Sequence, residues 1–127
     1  MRIFVTAMAL SLATSAFAQG LPHAQIQTLE YKTIDAASVN NDGKPMVVSF
    51  WATWCKPCIS ELNALSDYYE DLQKTTGVKL VAVSIDDART SAKVGPFVAG
   101  QEWEYTVLLD PNSVLRRAMG VNNVPHT

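Results

Sequence analysis

Cysteine and histidine are scarce in this chain, with two of each in 127 residues. A four-ligand zinc site is therefore excluded, because the two histidines lie far from each other and His23 lies far from the cysteines. Concentrated positive charge is also missing. Ten lysines and arginines face twelve acidic residues, the net charge is −2, and the basic residues are scattered. Nothing in that pattern grips a polyanion, so nucleic acid is excluded as a partner. Glycine and proline number six each, too few for a disordered chain, while 48% hydrophobic residues suffice for a core. No repeat, low-complexity tract or linker divides the chain, and its length suits one domain. The apolar stretch over residues 3–12 is too short to span a bilayer.

That stretch has a different use. Arg2 gives a positive start, residues 3–12 an apolar centre, and Ala16-Phe17-Ala18 a small-x-small cleavage site. Residues 1–18 read as a signal peptide, residues 19–127 as the domain, and Gln19 as the mature start. An uncleaved membrane anchor is the other reading. No cysteine lies near the cut, which excludes lipid attachment there. Export places the protein in the periplasm or another extracytoplasmic, oxidising space.

Both cysteines fall in Cys55-Lys56-Pro57-Cys58. Ahead of them residues 46–51 are almost continuously apolar and read as a buried strand entered by Pro45. Behind them Ile59, Leu62, Leu65, Tyr69 and Leu72 mark one face of a helix that ends at Thr75-Thr76-Gly77. Glu61, Asp67, Glu70 and Asp71 lie off that stripe, as on a solvated face. Pro57 sits in the first turn, where its missing N–H costs nothing. Further on come a strand over 78–85, a helix from Thr90 or Ser91 to about residue 99, a strand over 102–109 and a short helix through Leu115 and Met119 closed by Gly120. Ile26, Leu29, Tyr31 and Ile34 mark a short edge strand, and Asn40-Asn41-Asp42-Gly43 a turn. Strands alternating with helices predict an α/β fold with parallel pairing.

A disulfide between residues this close constrains the unfolded chain little, which argues against a purely structural pair. Thiol–disulfide exchange needs an attacking thiolate and a second thiol near enough to release the mixed disulfide. Two cysteines at a helix start meet both needs. The free N–H groups and the dipole there favour the thiolate. Cys55 is read as the exposed nucleophile and Cys58 as the resolving thiol beneath it. Lys56 adds a screened positive charge, or is merely solvated, and Pro57 stiffens the turn. Trp54 is read as substrate-facing, and Trp51 as wall or core. Cys-x-x-Cys-His haem attachment is excluded, since Ile59 follows Cys58.

Trp51-Ala52-Thr53-Trp54-Cys55-x-Pro57-Cys58 followed by a helix resembles the thioredoxin-like fold. Val48 to Cys55, Ser84-Ile85-Asp86 and Gly120-Val121-x-x-Val124-Pro125-x-Thr127 resemble the exported TlpA/ResA-type thiol–disulfide oxidoreductases, over roughly residues 26–127. The resemblance implies a three-layer αβα sandwich around a mixed sheet of four or five strands. It also implies that Pro125 is cis and lies against the cysteine pair. The backbone of Val124 would pair with an extended substrate. His126 follows Pro125, close enough to tune a thiolate or turned away. Thioredoxin carries a buried aspartate six residues before its first cysteine, and this chain has Ser49 there. Glu61, three residues after Cys58, stands where ResA-like members carry a glutamate implicated in proton handling.

The implied activity is reduction of disulfides in exported proteins, with cytochrome c maturation as one setting. The partners would be disulfide- or dithiol-containing proteins and a membrane-bound electron donor, acting on a monomer. The cofactor would be none beyond the redox-active Cys55–Cys58 pair, and no metal. The same site on the same fold also suits a disulfide-forming oxidant, or a redox-inert or copper-handling binding module. Such folds continue past the cis-proline into a hairpin and a final helix. The natural protein is therefore expected to be longer than this sequence; were the chain to end at Thr127, the third strand would be expected at an unpaired edge.

Overall fold

The computed structural model describes residues 20–127. The expected signal peptide, residues 1–18, and the expected mature start at Gln19 lie outside the described residues.

A five-stranded mixed sheet forms the centre, in the order β2-β1-β5-β4-β3. Its members are β1 (Gln25–Thr28), β2 (Thr33–Asp35), β3 (Met46–Trp51), β4 (Lys79–Ser84) and β5 (Thr106–Leu109). The apolar runs give β3, β4 and β5, which pair in parallel. Residues Leu80 to Ser84 are all buried, as a strand covered on both faces requires.

The two covers follow from the alternation of side chains along β3. Val47 lines an apolar pocket with Leu65, Tyr69 and Leu72 of helix α1 (Lys56–Thr76). Trp51, on the same face, packs against Phe97 of helix α2 (Val94–Gln101) and edge-on against Trp103. Met46 and Val48 point the other way, into a groove shared with Leu21, Val39 and Met119. Helix α3 (Val114–Ala118) follows β5 and buries Leu115.

Three local expectations change. Residues 25–35 form a hairpin rather than one edge strand: Tyr31 takes a left-handed φ of 62° in the turn, and β1 pairs antiparallel with both β2 and β5. The third strand, β5, is therefore covered by β1 and is not an edge, contrary to expectation. The helix over 90–99 begins as a 3-10 turn, Ser91–Lys93, with no side-chain cap from Thr90. The Asp87 carbonyl takes the N–H groups of both Thr90 and Ser91 instead. The strand over 102–109 begins only at Thr106, because the two aromatic residues before it turn back onto α1. The Trp103 indole donates to Asn63 Oδ1 at 2.8 Å, and the Tyr105 hydroxyl donates to the Leu62 carbonyl at 3.0 Å. Burial pushes the Tyr105 phenol well above its ordinary value.

Candidate active site

The site forms where β3 hands the chain to α1. Cys55 is the N-cap of α1, and its Sγ accepts the Cys58 N–H at 3.4 Å. Pro57 lies inside the first turn, so no helical hydrogen bond is lost. The helix runs 21 residues to an αL cap at Gly77, whose N–H reaches the Gln73 carbonyl. Its N-terminal dipole therefore points at the sulfurs. Cys55 and Cys58 are joined as a disulfide, Cα to Cα 5.3 Å. Cys58 is 1% exposed and Cys55 only 7%. Cys55 is thus more covered than expected, because its capping bond turns the sulfur toward the helix, although it remains the more open of the two.

A group that sequence reasoning missed holds the loop before Cys55. Asp86, just past β4, is 1% exposed. Its carboxylate accepts the Thr53 N–H at 2.9 Å, the Thr53 hydroxyl at 2.5 Å and the Ser84 hydroxyl at 2.7 Å. The Cys55 N–H closes the same loop onto the Ala52 carbonyl at 3.1 Å. The signal was Asp86's place at the carboxyl end of a parallel strand, where α/β folds build their sites.

Pro125 is cis, as the resemblance implied. Its loop is docked by one antiparallel bridge: the Phe50 N–H donates to the His126 carbonyl at 2.8 Å, and the His126 N–H returns to Phe50. The bridge lies one residue from the end of β3, and so sets the proline loop beside the cysteine turn. Trp54, 62% exposed, and the half-buried Val124 share a groove of about 390 Å³ that extends to Arg89 and Arg116. The Arg89 guanidinium holds the Asp87 carboxyl at its rim below the usual carboxylate range. Arg116 is tied to the carbonyls of Val121 and Asn122. Lys56 and Pro57 are exposed.

Opposed residues in an antiparallel pair share a face. His126 therefore goes with Phe50, on the face away from α1, and is exposed. Thr127 goes with Ser49 and α1, and its hydroxyl donates to Glu61 Oε1 at 2.6 Å. Ser49 lies 3.0 Å from the same Thr127 oxygen. Cys55 thus caps α1 and Cys58 and Glu61 lie in its first turns, while Trp54 and Val124 line the neighbouring groove and Pro125 lies in the loop bridged to β3. Among the described residues, no group of three or more His, Cys, Asp or Glu could hold a metal ion. Nor is any helix there long and apolar enough to cross a membrane.

A cysteine pair opening the helix after a parallel strand, with a cis-proline loop bridged to that strand, defines a thioredoxin-like protein. The profile of the AhpC/TSA family matches residues 18–127, and the chain belongs to that family. Among its relatives is the thiol-disulfide oxidoreductase ResA of Oceanobacillus iheyensis, 34% identical over 86 residues, or 68% of this chain and 43% of that protein. The solution structure of an uncharacterized thioredoxin-like protein from Porphyromonas gingivalis superposes with a TM-score of 0.73. It is 48% identical, over 83% of this chain and 69% of that one. A secreted Mycobacterium tuberculosis disulfide oxidoreductase, homologous to E. coli DsbE, superposes with a TM-score of 0.64. It is 28% identical, over 81% of this chain and 72% of that one. The chain spans about half the length of the curated relatives it matches.

Proposed function

We propose that this protein is an exported thiol–disulfide oxidoreductase that reduces disulfides in extracytoplasmic proteins, including the cysteines that receive haem in cytochrome c maturation. The reading rests on one observation: Cys55 and Cys58 form a disulfide at the N-terminus of α1. Residues 1–18 act as the leader for export, and residues 19–127 carry the thioredoxin-like domain. Electrons come from a membrane-bound dithiol donor, and the protein works as a monomer.

In the reduced protein the Cys55 thiolate, favoured by the helix dipole, attacks one sulfur of the substrate disulfide. A Cys55–substrate disulfide forms, the substrate S–S bond breaks, and the first substrate thiolate leaves with the electron pair. Glu61 then takes the proton from the Cys58 thiol. The Cys58 thiolate attacks Cys55 Sγ, which forms the Cys55–Cys58 disulfide and expels the second substrate thiolate. The protein is oxidised by two electrons and the substrate reduced by two. An extended substrate segment lies along Val124 and Pro125 and packs on Trp54, by strand addition.

The test is the reduction potential of the pair against glutathione, combined with insulin-disulfide reduction by wild type and Cys55→Ser. A value near that of thioredoxin, about −270 mV, with activity lost in Cys55→Ser, is the expected result. A value near about −120 mV would make the protein an oxidant. Activity in neither protein would leave a binding module.

A further inference from the structure

Glu61 is the accepting end of a hydrogen-bonded chain that begins in the core. Thr127 gives its only hydroxyl proton to Glu61 Oε1 at 2.6 Å. The 3.0 Å contact between Thr127 Oγ1 and Ser49 Oγ must then be a bond donated by Ser49. Both protons point toward the carboxylate. Ser49 is 1% exposed, on the α1 face of β3 and six residues before Cys55. Glu61 lies one helical turn beyond Cys58. The chain therefore ties the strand that enters the cysteine motif to the helix that leaves it, and its middle member comes from the cis-proline loop.

Elsewhere on the molecule, other polar clusters are closed upon themselves. Asp110 is fully buried, but it accepts the N–H groups of Val114, Leu115 and Arg116 and serves as the cap of α3. The groove beside Trp54 has its two arginines already engaged. The chain through Thr127 differs, because it ends on the carboxylate one helical turn beyond Cys58.

We propose that Ser49 and Thr127 are positioning residues for Glu61. Their two hydroxyls fix its carboxylate against the first turns of α1, so that it accepts the Cys58 proton when the mixed disulfide resolves. The inference rests on the reading of Glu61 given above. It assigns work to a strand position and a loop position that the thiol chemistry alone does not require.

Ellman's reagent separates the two chemical steps. The reduced protein at equimolar reagent releases one thionitrobenzoate as Cys55 attacks, and a second as Cys58 displaces it from the mixed disulfide. The expected result is a second phase slowed about tenfold in Thr127→Val and about threefold in Ser49→Ala, with the first phase unchanged. Thr127→Ser, which keeps the hydroxyl, restores the wild-type second phase. Glu61→Gln slows it the most, roughly a hundredfold. A wild-type second phase in Thr127→Val, with Glu61→Gln still slow, overturns the positioning proposal alone. A slow Thr127→Ser does the same, since packing rather than the hydroxyl would then matter. A wild-type second phase in Glu61→Gln overturns the role of Glu61 itself. Should Thr127→Val misfold, as read by circular dichroism, the Ser49→Ala and Thr127→Ser pair decides on the same criteria.

Discussion

Replacing Asp86 by alanine tests whether a buried carboxylate holds the nucleophile's loop. Three donors converge on it: the Thr53 N–H, the Thr53 hydroxyl and the Ser84 hydroxyl. A hydrogen bond to a charged group contributes about 1.5–3 kcal/mol. Three such bonds set an upper bound that the mutation does not reach, for two reasons. Removing a buried carboxylate also removes its desolvation cost, which is several kcal/mol for an ion in a protein interior. The two hydroxyls can rotate toward other acceptors, whereas the Thr53 N–H cannot. A net loss of about 3 kcal/mol follows. For a domain of this size each kcal/mol is worth about 4–8 °C, so the thermal midpoint should fall by about 15 °C. Asp86→Asn keeps one acceptor and should lose about half as much. The assay is urea denaturation of the oxidised protein, followed by tryptophan fluorescence. An Asp86→Ala protein within about 0.5 kcal/mol of wild type, in the range of ordinary surface substitutions, would refute the claim that this network holds the loop.

Two further outcomes follow from the structure. The hydrogen bond that His23 donates to Asp35 raises the pKa of His23 above 6.5, and the same bond holds the Asp35 carboxyl below its ordinary value. The stabilising effect of His23 is therefore full below pH 6.5 and fades as pH rises through the raised value, while that of Asp35 is lost as pH falls through its lowered value. An NMR titration should place the His23 midpoint above 6.5 and return it toward 6.5 in Asp35→Asn. Leu62 is fully buried under the sheet, so Leu62→Ala should cost about 3 kcal/mol by denaturant titration.

The elements whose periodicity extends over a full segment were legible in the sequence. The strand over 46–51, the helix behind the cysteines and the strand ending near Ser84 all appear where the apolar spacing put them. The hairpin at the start was not legible as such. Its strands are four and three residues long and contribute one fully buried side chain, Ile26, too little for alternation to register. Its turn depends on Tyr31 in a left-handed conformation, which no glycine announces. Trp103 and Tyr105 read as strand residues because aromatic residues favour strands. Their polar tips, however, find partners on α1, and the strand starts later. At the site, Cys55 and Cys58 could be named from their spacing at a helix start, whereas Glu61 was singled out by the resemblance to ResA-like proteins. Asp86, Ser49 and Thr127 could not be linked to them, because tertiary contact alone brings them there.

The cysteines sit three residues apart, while the Thr53–Asp86, Glu61–Thr127 and Ser49–Thr127 bonds close loops of 33, 66 and 78 residues. Contacts across such spans form only when the chain is largely folded. A newly made chain can therefore pair its cysteines early, as a local event, long before the groups around them have assembled. Until β4 and the proline loop dock, the pair reacts as a dithiol in an open peptide. Whatever the contacts of β4 and the proline loop add to the helix start is a property acquired late in folding.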